Sequence, residues 1–77
     1  MPVDPIPEWV LQRRREIGSR VRDARSERGL TQEELGHLVG LDRKTVNRLE
    51  TGAYSTLLDH LLLIAKELRV PAADLLR

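Results

Sequence analysis

The sequence predicts an all-α fold: one compact domain of five short helices, the first extended at its N-terminus. Three observations predict it. Apolar residues recur at spacings of three, four and seven, and no stretch alternates with the period of two that a half-buried strand needs. Residues suited to helix starts and stops divide the chain into five such segments. Between residues 32 and 49, apolar and small residues follow the spacing of two helices that cross through a tight turn.

Residues 1–7 hold three prolines and read as a flexible N-terminal arm, leaving 8–77 as the domain. Pro7 is pre-set for a helix start, and Glu8 suits the first turn. The first helix then runs to Arg28, with Val10, Ile17, Val21 and Ala24 as its inner stripe, and Gly29 ends it. Gly18 lies inside that stripe, where glycine disfavours an unbroken helix by ~1 kcal/mol relative to alanine.

Thr31, followed by Glu34 three positions later, is a capping-box pattern that opens the second helix. Leu35, Leu38 and Val39 give this helix an apolar face, and Gly40 stops it. Asp42 is a suitable N-cap for a third helix running to about Thr51, which Gly52 stops. Thr56 is placed to cap a fourth helix. Its expected buried side is Leu58, Leu61, Leu62, Ile64, Ala65 and Leu68, with Thr56, His60, Leu63 and Glu67 outward. Pro71 then suits the start of a short last helix ending in Leu75 and Leu76.

Composition narrows the function classes. A chain of 77 residues buries only ~60–65% of its unfolded surface, so its core is modest. There is no cysteine to add a disulfide or a thiolate metal site. No apolar run approaches a membrane span, and MPVDPIP lacks the features of a signal peptide, so the expected location is the cytoplasm. Two histidines, His37 and His60, lie on separate predicted helices without a clustered ligand, and no glycine-rich loop follows a strand. No enzyme, cofactor or metal site is expected. Net charge is only +1, but it is unevenly distributed: residues 12–28 hold seven Arg against three acidic residues, and residues 43–48 hold three basic and none acidic. With Trp9 and Tyr54 the only aromatics, there is no platform for stacking single-stranded bases.

The spacing over residues 31–51 is the most specific feature. Leu35, Val39, Leu41, Val46 and Leu49 fill the angle between two helices. Gly36 stands where the helices approach most closely, and Gly40 where the turn needs positive φ. This is a helix-turn-helix arrangement. The stretch GLTQEELGHLVGLDRKTVNRLETG resembles the phage-repressor/Cro-like (XRE) helix-turn-helix family. IGSRVRDARSERG before it and LLDHLLLIAKELRVPAADLL after it resemble the family's first, fourth and fifth helices, so the likeness covers about residues 17–76. Two positions depart from the pattern: Gly36 stands where the family usually has Ala, and Ala53 where a Lys often contacts phosphate. The resemblance implies a five-helix, repressor-like DNA-binding domain, usually a dimer on a two-fold symmetric operator. It also implies a phosphate contact by Gln32 and an ion pair between Arg25 and Glu50.

With Val46 and Leu49 inward, a step of 100° per residue points Lys44, Asn47, Arg48 and Thr51 outward, with Arg43 and Thr45 flanking. Arg and Lys can donate to guanine, and Asn can bond adenine on both its donor and acceptor atoms. The expected base contacts are therefore Arg43, Lys44, Thr45, Asn47 and Arg48. Phosphate contacts are expected from Thr31 and Gln32 at a helix N-terminus, where free N–H groups and the helix dipole favour an anion, and from Thr51 and Ser55. Arg13, Arg14 and Arg15 read rather as a solvated face.

The reading is a sequence-specific regulator of transcription on double-stranded DNA, a repressor and homodimer of bacterial or phage type, on an inverted-repeat operator. Leu57, Leu63 and Leu76 are surplus to a five-helix core and are its candidate dimer contacts. The alternative is an antitoxin or coactivator-like module that uses the same fold, and its N-terminal extension, to bind a protein.

Overall fold

The computed structural model describes residues 5–77, so residues 1–4 of the expected arm lie outside it. Five helices follow in order: α1 (Glu8–Glu27), α2 (Gln32–Val39), α3 (Arg43–Thr51), α4 (Leu58–Leu68) and α5 (Ala72–Leu76). There is no strand among the described residues. No described helix is long and apolar enough to cross a membrane.

Local chemistry explains most of the boundaries. The Thr31 hydroxyl accepts from the Glu34 N–H at 3.0 Å, and the Glu34 carboxylate accepts from the Thr31 N–H at 2.9 Å, closing the capping box. Asp42 accepts from the Thr45 N–H at 2.7 Å and so caps α3. Gly40 and Gly52 end α2 and α3 in the left-handed conformation. α4 ends differently: Arg69 takes the left-handed conformation at φ 58°, and the Val70 N–H donates back to the Ala65 carbonyl.

The core is Val21, Leu35, Val39, Val46, Leu49, Ile64, Ala65, Leu68 and Leu75, drawn from all five helices. α3 sits between α1 and α2, and α4 joins α2 to α5. Gly18 does not interrupt α1. A Cβ there would press into the backbone carbonyls of Leu49 and Glu50, so the missing side chain lets α1 lie directly on the end of α3. Gly36 allows a similar approach: a Cβ would collide with the Leu41 carbonyl, while the Gly36 carbonyl accepts the Leu41 N–H at 2.8 Å.

The structure corrects three expectations. Leu58 and Leu62, expected on the buried side of α4, are 62% and 50% exposed. At 100° per residue these six apolar residues span an arc of about 160°, and the core takes only one side of it, burying Ile64, Ala65 and Leu68 fully and Leu61 partly, while Leu58 and Leu62 lie at the other edge. The outward face is accordingly rotated to Leu58, Asp59, Leu62, Leu63 and Lys66, and Thr56, His60 and Glu67 are half-buried. Thr56 does not cap α4; the helix starts one residue later, behind Leu57, with no side-chain cap. Leu38 is exposed, because a helix of eight residues buries only Leu35, Gly36 and Val39 against α3 and α4.

Candidate nucleic-acid interface

α3 presents two opposite faces. Val46, Leu49 and Glu50 are buried, while Arg43, Lys44, Asn47, Arg48 and Thr51 are exposed and Thr45 is half-buried. Among the described residues, the side chains of Arg43, Lys44, Asn47 and Arg48 make no hydrogen bond or ion pair with protein. Asp42 carries the only carboxylate at the start of the helix. It is held below its ordinary range first by the Thr45 hydrogen bonds and further by the charges of Lys44 and Arg48. The exposed cations therefore keep their hydrogen-bonding capacity.

The arginines of α1 contrast with this. Arg13 donates to Glu16 and to the carbonyls of Leu76 and Arg77. Arg14 donates twice to the Gly52 carbonyl, at 3.2 and 2.9 Å. Arg15 bonds Gln12 and Glu8. Reading these three as a simple solvated face misses Arg13 and Arg14, which tie α1 to the C-terminus and to the end of α3. No sequence spacing signals either contact, because the partners are backbone carbonyls 38 to 64 residues away.

Beneath α3 lies a buried polar cluster. Arg25 Nε donates to Glu50 Oε2 at 2.6 Å and Arg25 Nη2 to Glu50 Oε1 at 3.0 Å, the parallel two-bond geometry of strong Arg–carboxylate pairs. Their side chains are 13% and 2% exposed. The Glu50 hydrogen bond, opposed by burial, raises the Arg25 guanidinium above its ordinary value. Arg25 Nη1 also donates to the Leu30 carbonyl at 2.7 Å, and Gln32 Nε2 donates to Glu50 Oε1 at 3.0 Å. One cluster thus links α1, the turn before α2, the first residue of α2 and the end of α3.

The expected phosphate contacts look different in this light. The amide of Gln32 is half-buried and has one hydrogen directed at Glu50, which leaves its second for another acceptor. The N–H groups of Gln32 and Glu33 have no partner in a helix's first turn, but that of Glu34 is taken by Thr31 and the Glu34 carboxylate occupies the helix end. Those same bonds hold the Glu34 carboxyl below its usual range, so the positive end of α2 already has an anion. The Thr51 hydroxyl donates to the Arg48 carbonyl at 3.2 Å and would have to give up that bond to donate to a phosphate. Ser55 is exposed in the loop after Gly52.

Leu57, Leu63 and Leu76 lie 65%, 46% and 43% exposed. Leu58 and Leu62 are exposed as well, so apolar side chains flank Asp59 and Lys66 on the outer side of α4, with Leu57 just before its first residue.

Comparison with known proteins agrees with this architecture. An uncharacterized HTH-type transcriptional regulator of Methanothermobacter thermautotrophicus is 54% identical over 35 residues, 46% of this chain and 51% of that protein, so the match spans about half the relative's length. The restriction-modification controller protein C.AhdI of Aeromonas hydrophila superposes with a TM-score of 0.76 at 36% identity, covering 79% of this chain and 92% of that one. PlcR of Bacillus thuringiensis, solved with the peptide PapR7 and DNA, superposes at 0.73 with 33% identity over 79% of this chain and 21% of its own. Residues 21–75, which hold the capped α2, the Gly40 turn, the cationic α3 and the Arg25–Glu50 pair, match the helix-turn-helix family model, and this chain belongs to that family in its phage-repressor/Cro-like (XRE) form.

Proposed function

We propose that this chain is a DNA-binding transcriptional regulator that reads the major groove of double-stranded DNA with α3. The observation that carries the proposal is the outer face of α3: four exposed residues able to pair with base edges, none engaged with protein among the described residues. Lys44, Asn47 and Arg48 read bases, and Arg43 and Thr45 reach neighbouring bases or phosphates. Thr31, Gln32, Ser55 and Thr51 hold the backbone, with Gln32 using the amide hydrogen that Glu50 leaves free. The work of the chain is binding rather than catalysis, and its site of action is the cytoplasm. Its effect is repression, by occupying the operator.

The same reading makes the chain a homodimer on an inverted repeat. Scattered exposed leucines are ordinary, but Leu58, Leu62 and Leu63 share the outer side of α4, with Leu57 just before it and Leu76 on the neighbouring α5. A second copy of the same surface is its simplest cover, since a two-fold interface pairs like with like. Two copies then place their α3 helices in successive major grooves, with half-sites ~10 bp apart.

The test begins by selecting bound duplexes from a random pool, and then measures affinity for the selected and a scrambled duplex at one salt concentration. Arg48→Ala and Asn47→Ala lower the affinity for the selected duplex by ~1–3 kcal/mol and that for the scrambled one far less. If Lys44, Asn47 and Arg48 can all become Ala with the ratio unchanged, α3 does not read DNA. A wild type that binds no duplex in a salt-dependent way favours the protein-binding alternative instead.

A further inference from the structure

The N-terminal half of α1 runs against the residue that ends α3. Arg14 directs its guanidinium fork at the Gly52 carbonyl. One residue on, the backbone of Arg15 lies so close to Gly52 that a Cβ there would come within 2.8 Å of the Arg15 Cα. One turn further, Gly18 rests on the carbonyls of Leu49 and Glu50. Residues 14–18 therefore lie along the last turn of α3 and the residue that ends it.

We propose that Arg14 is a positioning residue for DNA readout, clamping the C-terminal end of α3 and the loop that follows. The inference rests on the proposed reading of α3 and adds a part that the matched segment, residues 21–75, does not contain. The last carbonyls of a helix lack intrahelical donors. Here Arg48 O accepts the Ala53 N–H at 2.9 Å and Leu49 O accepts the Gly52 N–H at 3.1 Å. The Gly52 carbonyl, three residues past that of Leu49, is taken by Arg14. Gly52 sits at φ 76°, a conformation that glycine leaves easily, so a fixed carbonyl at this residue removes a hinge. The cation also sits at the negative end of the α3 dipole. Beyond Gly52 the chain runs past Tyr54, Ser55 and Thr56, which share with Arg14 the lining of a cavity between α1 and this loop. The clamp thus sets both the angle of α3 and the place of Ser55. A base contact needs its atoms held to about 0.5 Å, which a loosened helix end does not provide.

The experiment compares wild type with Arg14→Ala, Arg14→Lys and Arg22→Ala, on the duplex selected from the random pool and on a scrambled one. Arg22 lies on the same helix and among the described residues contacts only Ser19 and Asp23, so Arg22→Ala removes an equal charge away from α3. All are measured well below their melting temperatures and over a series of salt concentrations. Arg14→Ala is expected to lower affinity for the selected duplex about tenfold. Its affinity for the scrambled duplex and its salt slope stay as in wild type, because positioning involves no phosphate contact. Arg14→Lys, which keeps the charge but not the fork, recovers part of the loss. Arg22→Ala leaves the ratio unchanged. In the free protein, amide hydrogen exchange at Gly52 and Ala53 speeds up in Arg14→Ala.

An equal loss on both duplexes with a salt slope shallower by about one overturns the clamp in favour of a direct phosphate contact. A lower melting temperature with the affinity ratio intact reduces Arg14 to a stabilising residue and overturns it too, as does unchanged exchange at Gly52 and Ala53. A wild type that fails to discriminate is a different failure, visible without any variant, and overturns the reading of α3 itself.

Discussion

Replacing Glu50 with Ala removes the acceptor of three hydrogen bonds, two from Arg25 and one from Gln32. Arg25 is only 13% exposed and keeps a single partner, the Leu30 carbonyl. Its guanidinium cannot shed its proton to escape burial, so the charge is stranded. Breaking a buried pair from one side costs ~3–5 kcal/mol. A domain of this length is stable by ~4–12 kcal/mol, so the loss is a large share of the total. At ~4–8 °C per kcal/mol, the melting temperature falls by roughly 12–40 °C. Thermal unfolding followed by far-ultraviolet circular dichroism at neutral pH and fixed protein concentration measures it. The double variant Arg25→Met with Glu50→Leu removes both charges and regains most of the loss, since well-packed apolar groups can replace a buried pair. A Glu50→Ala melting temperature within about 4 °C of wild type, the range of ordinary surface substitutions, refutes the reasoning. So does a double variant less stable than the single one, because the damage would then come from lost packing rather than from a stranded charge.

Gln32→Ala lowers stability by ~1.5–3 kcal/mol, as for a hydrogen bond to a charged group, in addition to weakening DNA binding evenly across sequences; urea unfolding separates the two effects. Gly18→Ala lowers the unfolding midpoint despite its better helix propensity, because a Cβ there meets two backbone carbonyls that cannot move aside; a destabilisation of ~1–3 kcal/mol is expected, and a more stable variant refutes the close approach. The folded state lowers the Asp42 carboxyl from its ordinary value, so Asp42 contributes stability that is present above the unfolded value and is lost as pH falls through the folded one. Asp42→Asn keeps the cap but not the charge, and its acid unfolding is less steep than that of wild type in stability curves between neutral and acid pH. Leu63→Glu puts like charges across the proposed two-fold interface; sedimentation shows wild type as a dimer at high concentration and the variant as a monomer, while a wild type that stays monomeric and binds DNA as one copy per site argues against the interface.

The sequence by itself determined what depends on near neighbours. The capping box at Thr31 and Glu34, the Asp42 cap, the glycine stops at Gly40 and Gly52 and the inward Val46 and Leu49 all act within a turn or two, so residue type and spacing specify them. The outward direction of Lys44, Asn47, Arg48 and Thr51, with Arg43 on the flank, follows from the same helical period. Only tertiary structure decided the rest, because those features join residues far apart in the chain. Periodicity marks Leu58 and Leu62 as apolar, but how many leucines of α4 find cover depends on how α2 and α5 pack around it. The arginines of α1 look alike in sequence. Arg14 differs from Arg22 only because the fold brings the Gly52 carbonyl to it. The glycine at position 18 reads as a weakness of a helix until the end of α3 is seen lying against it. Gln32, read from sequence as a phosphate contact at a helix start, gains its bond to Glu50 only when the fold brings the end of α3 against it. Arg69 ends α4 in a conformation that its residue type does not advertise.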